Sequence, residues 1–329
     1  MKKNKCYIIA EIGINHNGNF KILSKLIKLA KKAGADAVKF QLFNPETLAS
    51  KKDPKKYKLF KNKPNQTLFE MWKSVAIKKK WPTKIKNLSK KIKIDLGFSV
   101  FDEQSLNQIR KIKPNFIKIA SSDITDLNLL NKIKKTKPKH IIMSTGMASK
   151  NEIINAFKIF NKNISLLHCV SLYPTDYKEL NLNRMIKLNN ITKNVGFSDH
   201  SLGVIGSINA IALGAKILEK HFTFDKKAYG PDHQSSADFN DLKIICEFAK
   251  NKNNMLGNGK IEPSKKEIKM RLFSRKSIYA RKNIKKGDKF SDNNLVCKRP
   301  GDGTDAKYIF NLIGKKSTKL FKKDDKIIF

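Results

Sequence analysis

Short apolar runs rich in β-branched residues recur along the chain, each followed by a stretch whose apolar positions repeat every three or four residues. The runs cover residues 7–12, 37–42, 96–101, 116–120, 140–145, 164–169, 195–198 and 216–222. Amphipathic stretches such as 20–32, 103–111, 150–160 and 203–213 lie between them. This alternation of strand and helix, eight times over, predicts parallel strands joined by crossover helices. Eight such units within about 225 residues point to a (β/α)8 TIM barrel, with a doubly wound open sheet as the alternative. Residues 44–92 are longer than a usual strand-to-helix connection and carry Pro45, Pro54, Pro64, Trp72, Trp81 and Pro82, which predicts a lid or an extra helical element.

After the eighth run comes a helical pattern over 239–250, then Gly257-Asn258-Gly259-Lys260 and Pro263, which read as a linker. Beyond it the texture changes to short alternating runs (277–280, 295–298, 326–329) with turn signals at Lys286-Gly287-Asp288 and Pro300-Gly301-Asp302-Gly303. The expected organisation is a barrel over 1–256, a linker over 257–275 and a small, mostly β module over 276–329. A module of about 50 residues is marginal alone and needs another surface to lean on.

The 329 residues hold 69 Lys+Arg against 28 Asp+Glu, a formal charge of +41. Only six of the cations are Arg, and the lysines are spread over the whole chain, as on the helical face Lys25-Leu26-Ile27-Lys28-Leu29-Ala30-Lys31-Lys32. Nucleic-acid readers favour Arg forks, interleaved aromatics or a recognisable module. None is visible, so the charge is expected on solvated faces, where its field still attracts small anions. No run reaches the roughly 18 apolar residues of a membrane span, and the start carries no signal-peptide core. Cys6, Cys169, Cys246 and Cys297 lack C-x-x-C spacing, which argues against a thiolate zinc site or a disulfide framework. A cytoplasmic protein is expected.

Catalytic groups of such barrels gather where the strands end. Each predicted strand ends in polar residues: Glu11; Lys39 and Gln41; Ser99; Lys118 with Ser121 and Ser122; Ser144-Thr145-Gly146; His168 with Ser171 and Tyr173; Ser198-Asp199-His200; and Glu219-Lys220-His221. A single strand-end Ser is more often a helix cap, and a single Lys more often an edge residue whose head reaches solvent. Eight coincidences are harder to dismiss. Five histidines, His16, His168, His200, His221 and His233, lie at or near these ends, while His140 sits at a strand start and reads as structural. Two inward lysines with several hydroxyls form an anion cradle suited to a phosphate and a carboxylate. No Gly-rich nucleotide-phosphate motif is present. His200 and His221 read either as nitrogen ligands of one divalent ion or as a hydrogen-bonded pair.

These residues carry a resemblance. Ala10-Glu11-Ile12-Gly13-Ile14-Asn15-His16-Asn17-Gly18, Val38-Lys39-Phe40-Gln41, Lys118-Ile119-Ala120-Ser121, Ser144-Thr145-Gly146-Met147, Leu167-His168-Cys169, Tyr173-Pro174-Thr175, Gly196-Phe197-Ser198-Asp199-His200, Glu219-Lys220-His221-Phe222, Gly230-Pro231-Asp232-His233 and Lys298-Arg299-Pro300-Gly301 resemble, in order, the sialic acid (N-acetylneuraminate) synthase family. Residues 277–329 resemble that family's SAF (antifreeze-like, β-clip) domain.

The resemblance implies condensation of phosphoenolpyruvate with an N-acetylated hexosamine, typically N-acetylmannosamine, to N-acetylneuraminate and phosphate, with Mn2+ or Mg2+. It further implies metal ligands at His200 and His221, and phosphoenolpyruvate contacts at Lys39, Ser99, Lys118, Ser121, Ser144, Ser171 and Ser198. Glu11, Gln41, Tyr173 and Asp232 would face the sugar or the new bond, with Glu11, Lys39, Lys118 and Tyr173 the catalytic set. Arg299 would reach the sugar in a partner's barrel, in a domain-swapped homodimer. Ser99-Val100-Phe101, Ser171 and Asp123, the last a substrate-binding candidate where Glu is usual, depart from the family pattern and leave the sugar open. Legionaminic or pseudaminic acid synthesis from a diacetamido sugar is the nearest alternative. A non-catalytic sugar-binding protein and a charge-driven nucleic-acid binder are the remote ones.

Overall fold

The computed structural model describes residues 5–53, 66–160 and 164–328. Two compact units divide at Gly257/Asn258. In the first, β1 (Tyr7–Gly13), β2 (Ala37–Leu42), β3 (Asp95–Val100), β4 (Phe116–Ile119), β5 (Ile141–Ser144), β6 (Ile164–Cys169), β7 (Val195–Asp199) and β8 (Ile217–His221) form a closed parallel barrel in sequence order. β8 pairs with β1 from Tyr7↔Ile217 to Glu11↔His221. The (β/α)8 expectation therefore holds, and strand limits differ from the predicted ones by at most one residue at either end.

The helices are α1 (Phe20–Ala33), α2 (Pro45–Leu48), α3 (Leu68–Val75), α4 (Trp81–Ile92), α5 (Glu103–Ile112), α6 (Leu127–Lys135), α7 (Lys150–Phe160), α8 (Asn183–Leu188), α9 (Ile205–Ala212) and α10 (Phe239–Leu256). α1 shows why they form where they do. The Asn19 side chain accepts from the backbone N–H groups of Lys21 and Ile22, and Gly34 closes the helix at φ 101°. Leu23, Leu26, Ile27 and Ala30 recur on one buried face, packed on the outside of the strands.

Strand alternation divides the barrel interior into layers. Ile9, Ala37, Phe116, Ile142, Leu167 and Ile217 form an apolar floor. Two residues further along the same strands stand Glu11, Lys39, Lys118, Ser144, Cys169 and Glu219. Gly97 and Gly196 leave room for that floor: a Cβ at Gly97 would sit 2.1 Å from the Phe116 ring.

The long connection over 44–92 resolves into α2, α3 and the ordinary crossover helix α4. Met71 and Val75 of α3 join Ile14 and Phe43 in a small separate core against which Trp72 and Phe101 pack. The extra helical element is present; Pro54 and Pro64 lie outside the described residues.

The second unit pairs β9 (Ser277–Ala280) antiparallel to β10 (Leu295–Lys298), with Leu295 opposite Ala280. Ile278, Ala280, Ile284, Phe290, Leu295, Leu312, Phe321 and Ile327 make its core. Two expectations change here. The stretch 257–275 is not all linker: α11 (Lys265–Ser274) occupies it, started by a capping box in which Ser264 and Glu267 exchange hydrogen bonds. The run at 326–329 makes one bridge, Lys326 with Tyr279, rather than a strand, and Phe329 is outside the described residues.

Candidate active site

At the carboxyl ends of the strands the layer above the floor opens into a cavity of about 280 Å³. Its lining includes Glu11, Lys39, Gln41, Ser99, Lys118, Ser121, Ser144, Ser171, Tyr173, Ser198, His200 and His221, all but three of the site residues that the resemblance implies. Asp123 instead closes a short 3-10 turn after β4, where it accepts from the Ser122 hydroxyl at 3.1 Å. Asp232 stands behind His221, its Oδ2 3.6 Å from Nδ1. Arg299 belongs to the second unit, where its Nε donates to the Ser274 carbonyl at 2.8 Å.

The cradle is an ionic layer. Lys39 Nζ lies 2.8 Å from Glu11 Oε1 and 3.8 Å from Glu219 Oε2, and it donates to the Ser99 hydroxyl at 2.7 Å. Lys118 Nζ donates to Ser144 Oγ at 2.6 Å and lies 3.8 Å from Glu219 Oε1, which also accepts from Ser198 Oγ. Burial and environment push these groups apart. Desolvation raises the Glu11 carboxyl even against Lys39, whereas for Glu219 the nearby Lys118 and Lys39 overcome burial and hold the carboxyl low. Desolvation lowers Lys118; for Lys39 the carboxylates of Glu11 and Glu219 outweigh it and the ammonium is held charged. Two carboxyls pushed in opposite directions are the arrangement in which one handles protons and the other stays ionised.

Gly146 brings backbone to the cradle wall. Its N–H donates to Ser121 Oγ at 3.0 Å, and a Cβ there would lie 2.4 Å from Ser171 Oγ and 2.7 Å from Cys169 Sγ. Only glycine fits that approach.

The two mouth histidines suit a divalent ion in their chemistry. His200 Nδ1 lies 2.6 Å from the Val170 carbonyl, so this nitrogen carries the proton and Nε2 keeps its lone pair. Burial pushes His200 down to about 4 and His221 well below its ordinary range, so both rings are neutral, as ligands must be. His221 Nδ1 is buried without a hydrogen-bond partner, and the ring centroids are 5.7 Å apart. Among the described residues no third His, Cys, Asp or Glu completes a ligand cluster. The protein thus offers two imidazole nitrogens that would hold such an ion. The Tyr173 ring lies 4.1 Å from that of His200.

The other strand-end histidines do different work. His168 lies 2.7 Å from the Leu180 carbonyl, His16 packs edge-on against Trp81, and His233 lies between Thr223 and Asn17. None of the three lines the cavity. Conversely Glu219, the hub between the two lysines, has no role assigned to it by the resemblance. Its spacing of two from His221 places both on the inward face of one strand and is the signal that finds it.

No helix among the described residues is long and apolar enough to cross a membrane. The NeuB family pattern matches residues 26–261 and the SAF domain pattern residues 275–327. The N,N'-diacetyllegionaminic acid synthase of Campylobacter jejuni is 39% identical over 98% of this chain and 99% of its own. A pseudaminic acid synthase of the same organism is 35% identical over 98% and 95%. The crystal structure of an N-acetylneuraminic acid (sialic acid) synthetase from Leptospira borgpetersenii, in complex with citrate, covers 81% of this chain and 90% of that one at 33% identity and TM-score 0.71. With the two patterns together spanning residues 26–261 and 275–327 and the relatives matched over nearly the full length, this chain belongs to the NeuB family of sialic acid synthase-like enzymes and carries a SAF domain.

Proposed function

We propose that this enzyme condenses phosphoenolpyruvate with the open-chain form of an N-acetylated hexosamine in the cytoplasm, giving a nine-carbon 2-keto acid and phosphate. The observation that carries the reading is the ionic layer, in which Lys39 and Lys118 stand among hydroxyls at the base of the barrel-mouth cavity. A phosphate and a carboxylate placed there meet both cations with Ser99, Ser121, Ser144 and Ser198 as donors. Glu219 stays ionised and keeps the two ammonium groups in place. C3 of phosphoenolpyruvate bonds to the aldehyde carbon, whose oxygen takes up a proton to become a hydroxyl. Water adds at C2 with loss of a proton, and the bond from C2 to the bridging oxygen then breaks, releasing phosphate and leaving the C2 carbonyl as the new hydroxyl loses its proton. Glu11, whose carboxyl burial raises, takes the proton of that water or of a sugar hydroxyl. A divalent ion, Mn2+ or Mg2+, held by His200 and His221 would supply polarisation of the aldehyde oxygen.

N-acetylmannosamine is the acceptor that the family resemblance implies. A 2,4-diacetamido-6-deoxy sugar is favoured by two observations: the 39% identity to the Campylobacter enzyme, and the apolar Phe101, Ala120 and Met147 in the cavity wall, which suit a methyl where a hydroxymethyl would stand. A domain-swapped homodimer would bring a second copy's Arg299 to the acetamido group. The exposed Met147 (75%) near the cavity and Phe273 (70%) in the second unit support a covering partner.

Phosphate release with phosphoenolpyruvate and a panel of N-acetylmannosamine, the 2,4-diacetamido-6-deoxy-mannose and the corresponding altrose tests the whole reading. Release with at least one sugar, abolished by EDTA and restored by Mn2+, is expected; release that ignores the chelator defeats the metal assignment. Arg299→Ala should raise the hexosamine KM by about tenfold or more with little change for phosphoenolpyruvate. An equal rise in both defeats the swapped arginine.

A further inference from the structure

Asp199 and Lys220 lie in the two histidine motifs yet line no part of the cavity. Along β7 and β8 side chains alternate, so Ser198 and Glu219 face the cavity while Asp199 and Lys220 face the helix layer outside. There they form an ion pair, Lys220 Nζ to Asp199 Oδ2 at 2.9 Å, with both side chains 0% exposed. Asp199 Oδ1 accepts from the Ser201 N–H at 2.8 Å and the Ser201 hydroxyl at 2.7 Å. Its Oδ2 also accepts from Ser207 of α9, and Lys220 donates to the Ser201 carbonyl. Gly206 makes room, since a Cβ there would lie 2.7 Å from Ser201 Oγ.

The pair sits at a telling place in the ladder. Asp199↔Lys220 is the last register pair between β7 and β8. His200 lies one residue past the end of β7, and His221 is the final residue of β8. Beyond this point no β7–β8 pair joins His200 to His221 directly: His221 pairs with Glu11 of β1, and the His200 carbonyl accepts from the Thr175 N–H. Among the apolar side chains between sheet and helices, a charge pair adds little stability, because desolvation offsets the attraction. What it adds over two leucines is a fixed distance and direction.

We propose that Asp199 and Lys220 are positioning residues that set the separation of His200 and His221, and through it the affinity of the site for a divalent cation. The inference rests on the reading that those histidines hold such an ion. It is tested by titrating the full chain with Mn2+ alone, following free Mn2+ by electron paramagnetic resonance. The double variant Asp199→Asn/Lys220→Met removes both charges while keeping side-chain length and an acceptor for Ser201. It should keep a melting temperature within about 5 °C of wild type, because the pair adds little stability. Its Mn2+ dissociation constant should rise by about tenfold or more, the range seen when groups orienting metal ligands are lost. A folded double variant binding Mn2+ as wild type does overturns the proposal. Should that variant not fold, Lys220→Arg keeps the charge but replaces a point donor with a planar fork. Weaker Mn2+ binding at unchanged melting temperature is expected of it, and unchanged binding overturns the proposal. A wild-type chain that takes up no Mn2+ and turns over regardless of chelator removes the histidine reading and this inference together. That outcome is distinct from wild type and variant binding alike.

Discussion

The barrel has two polar, lysine-rich ends, and they differ in what their buried polar atoms have left to do. At the amino end a cavity of about 770 Å³ is lined by Lys5, Lys31, Lys93, Lys139 and His140 around Asp36 and Asp95. Its carboxylates are already used: Asp36 accepts from Lys5 and the Ile8 N–H, and Asp95 from the Tyr7 hydroxyl at 2.6 Å and Asn115 at 2.9 Å. Lys31 donates to the Lys93 carbonyl, and His140 bonds Ser165. The carboxyl-end cavity, at about 280 Å³, is much smaller, yet Glu11 Oε2, Gln41 Oε1, Glu219 Oε2 and His221 Nδ1 are buried there without hydrogen-bond partners. Unpaired buried polar atoms are costly and call for an explanation. Neither volume nor the number of cations separates a site from a scaffold here; unfinished hydrogen bonding does.

Substitutions at the two ends should part company. Lys118→Met at the carboxyl end is expected to lower kcat/KM by about a thousandfold while leaving the melting temperature level or higher, because a desolvated ammonium is replaced by an apolar chain of similar length. Activity within tenfold of wild type would break the distinction. Asp95→Asn at the amino end should reverse the pattern. The melting temperature falls by several degrees, as expected for weakening hydrogen bonds to a charged group, while kcat/KM stays within about twofold. A large loss of activity there would make the amino end part of the functional apparatus.

Asp123, outside both cavities, sharpens the comparison with the smallest effect. Burial pushes its carboxyl up to about 6 from an ordinary 3.8. Between those values the folded chain holds a proton that the unfolded chain has released, so stability from this residue falls as pH rises through the window and stays reduced above it. Asp123→Asn should therefore raise the melting temperature at pH 7.5 and leave it nearly unchanged at pH 3.5. Equal shifts at both would show that the carboxyl's charge is not what matters.

The barrel was legible because short apolar strand runs alternate with stretches of helical period. Alternation separates the floor at Ile9, Ala37 and Phe116 from outward-facing residues, and the same alternation carries Glu11, Lys39 and Lys118 into the layer above. Helix α11 was missed because Gly257, Gly259 and Pro263 outweighed the Ser264-x-x-Glu267 capping signal beside them. The strand-end histidines misled in part: His16, His168 and His233 share their neighbourhood with His200 and His221, but each ring sits among packed neighbours, and which face a loop residue presents is set by tertiary contacts rather than by local spacing. Asp123 and Asp232 sit in turns beyond the strands, where period-two reasoning ends.

The ionic layer also bears on how such a chain would change if its product were no longer needed. Paired replacements of Lys39 with Glu11, or of Lys118 with Glu219, by apolar residues would relieve desolvation inside a barrel that the apolar floor and helix layer already hold shut. Silence is then the downhill direction for this architecture: a duplicate copy released from selection would drift toward a sturdier barrel that binds nothing, and the fold would outlast the reaction.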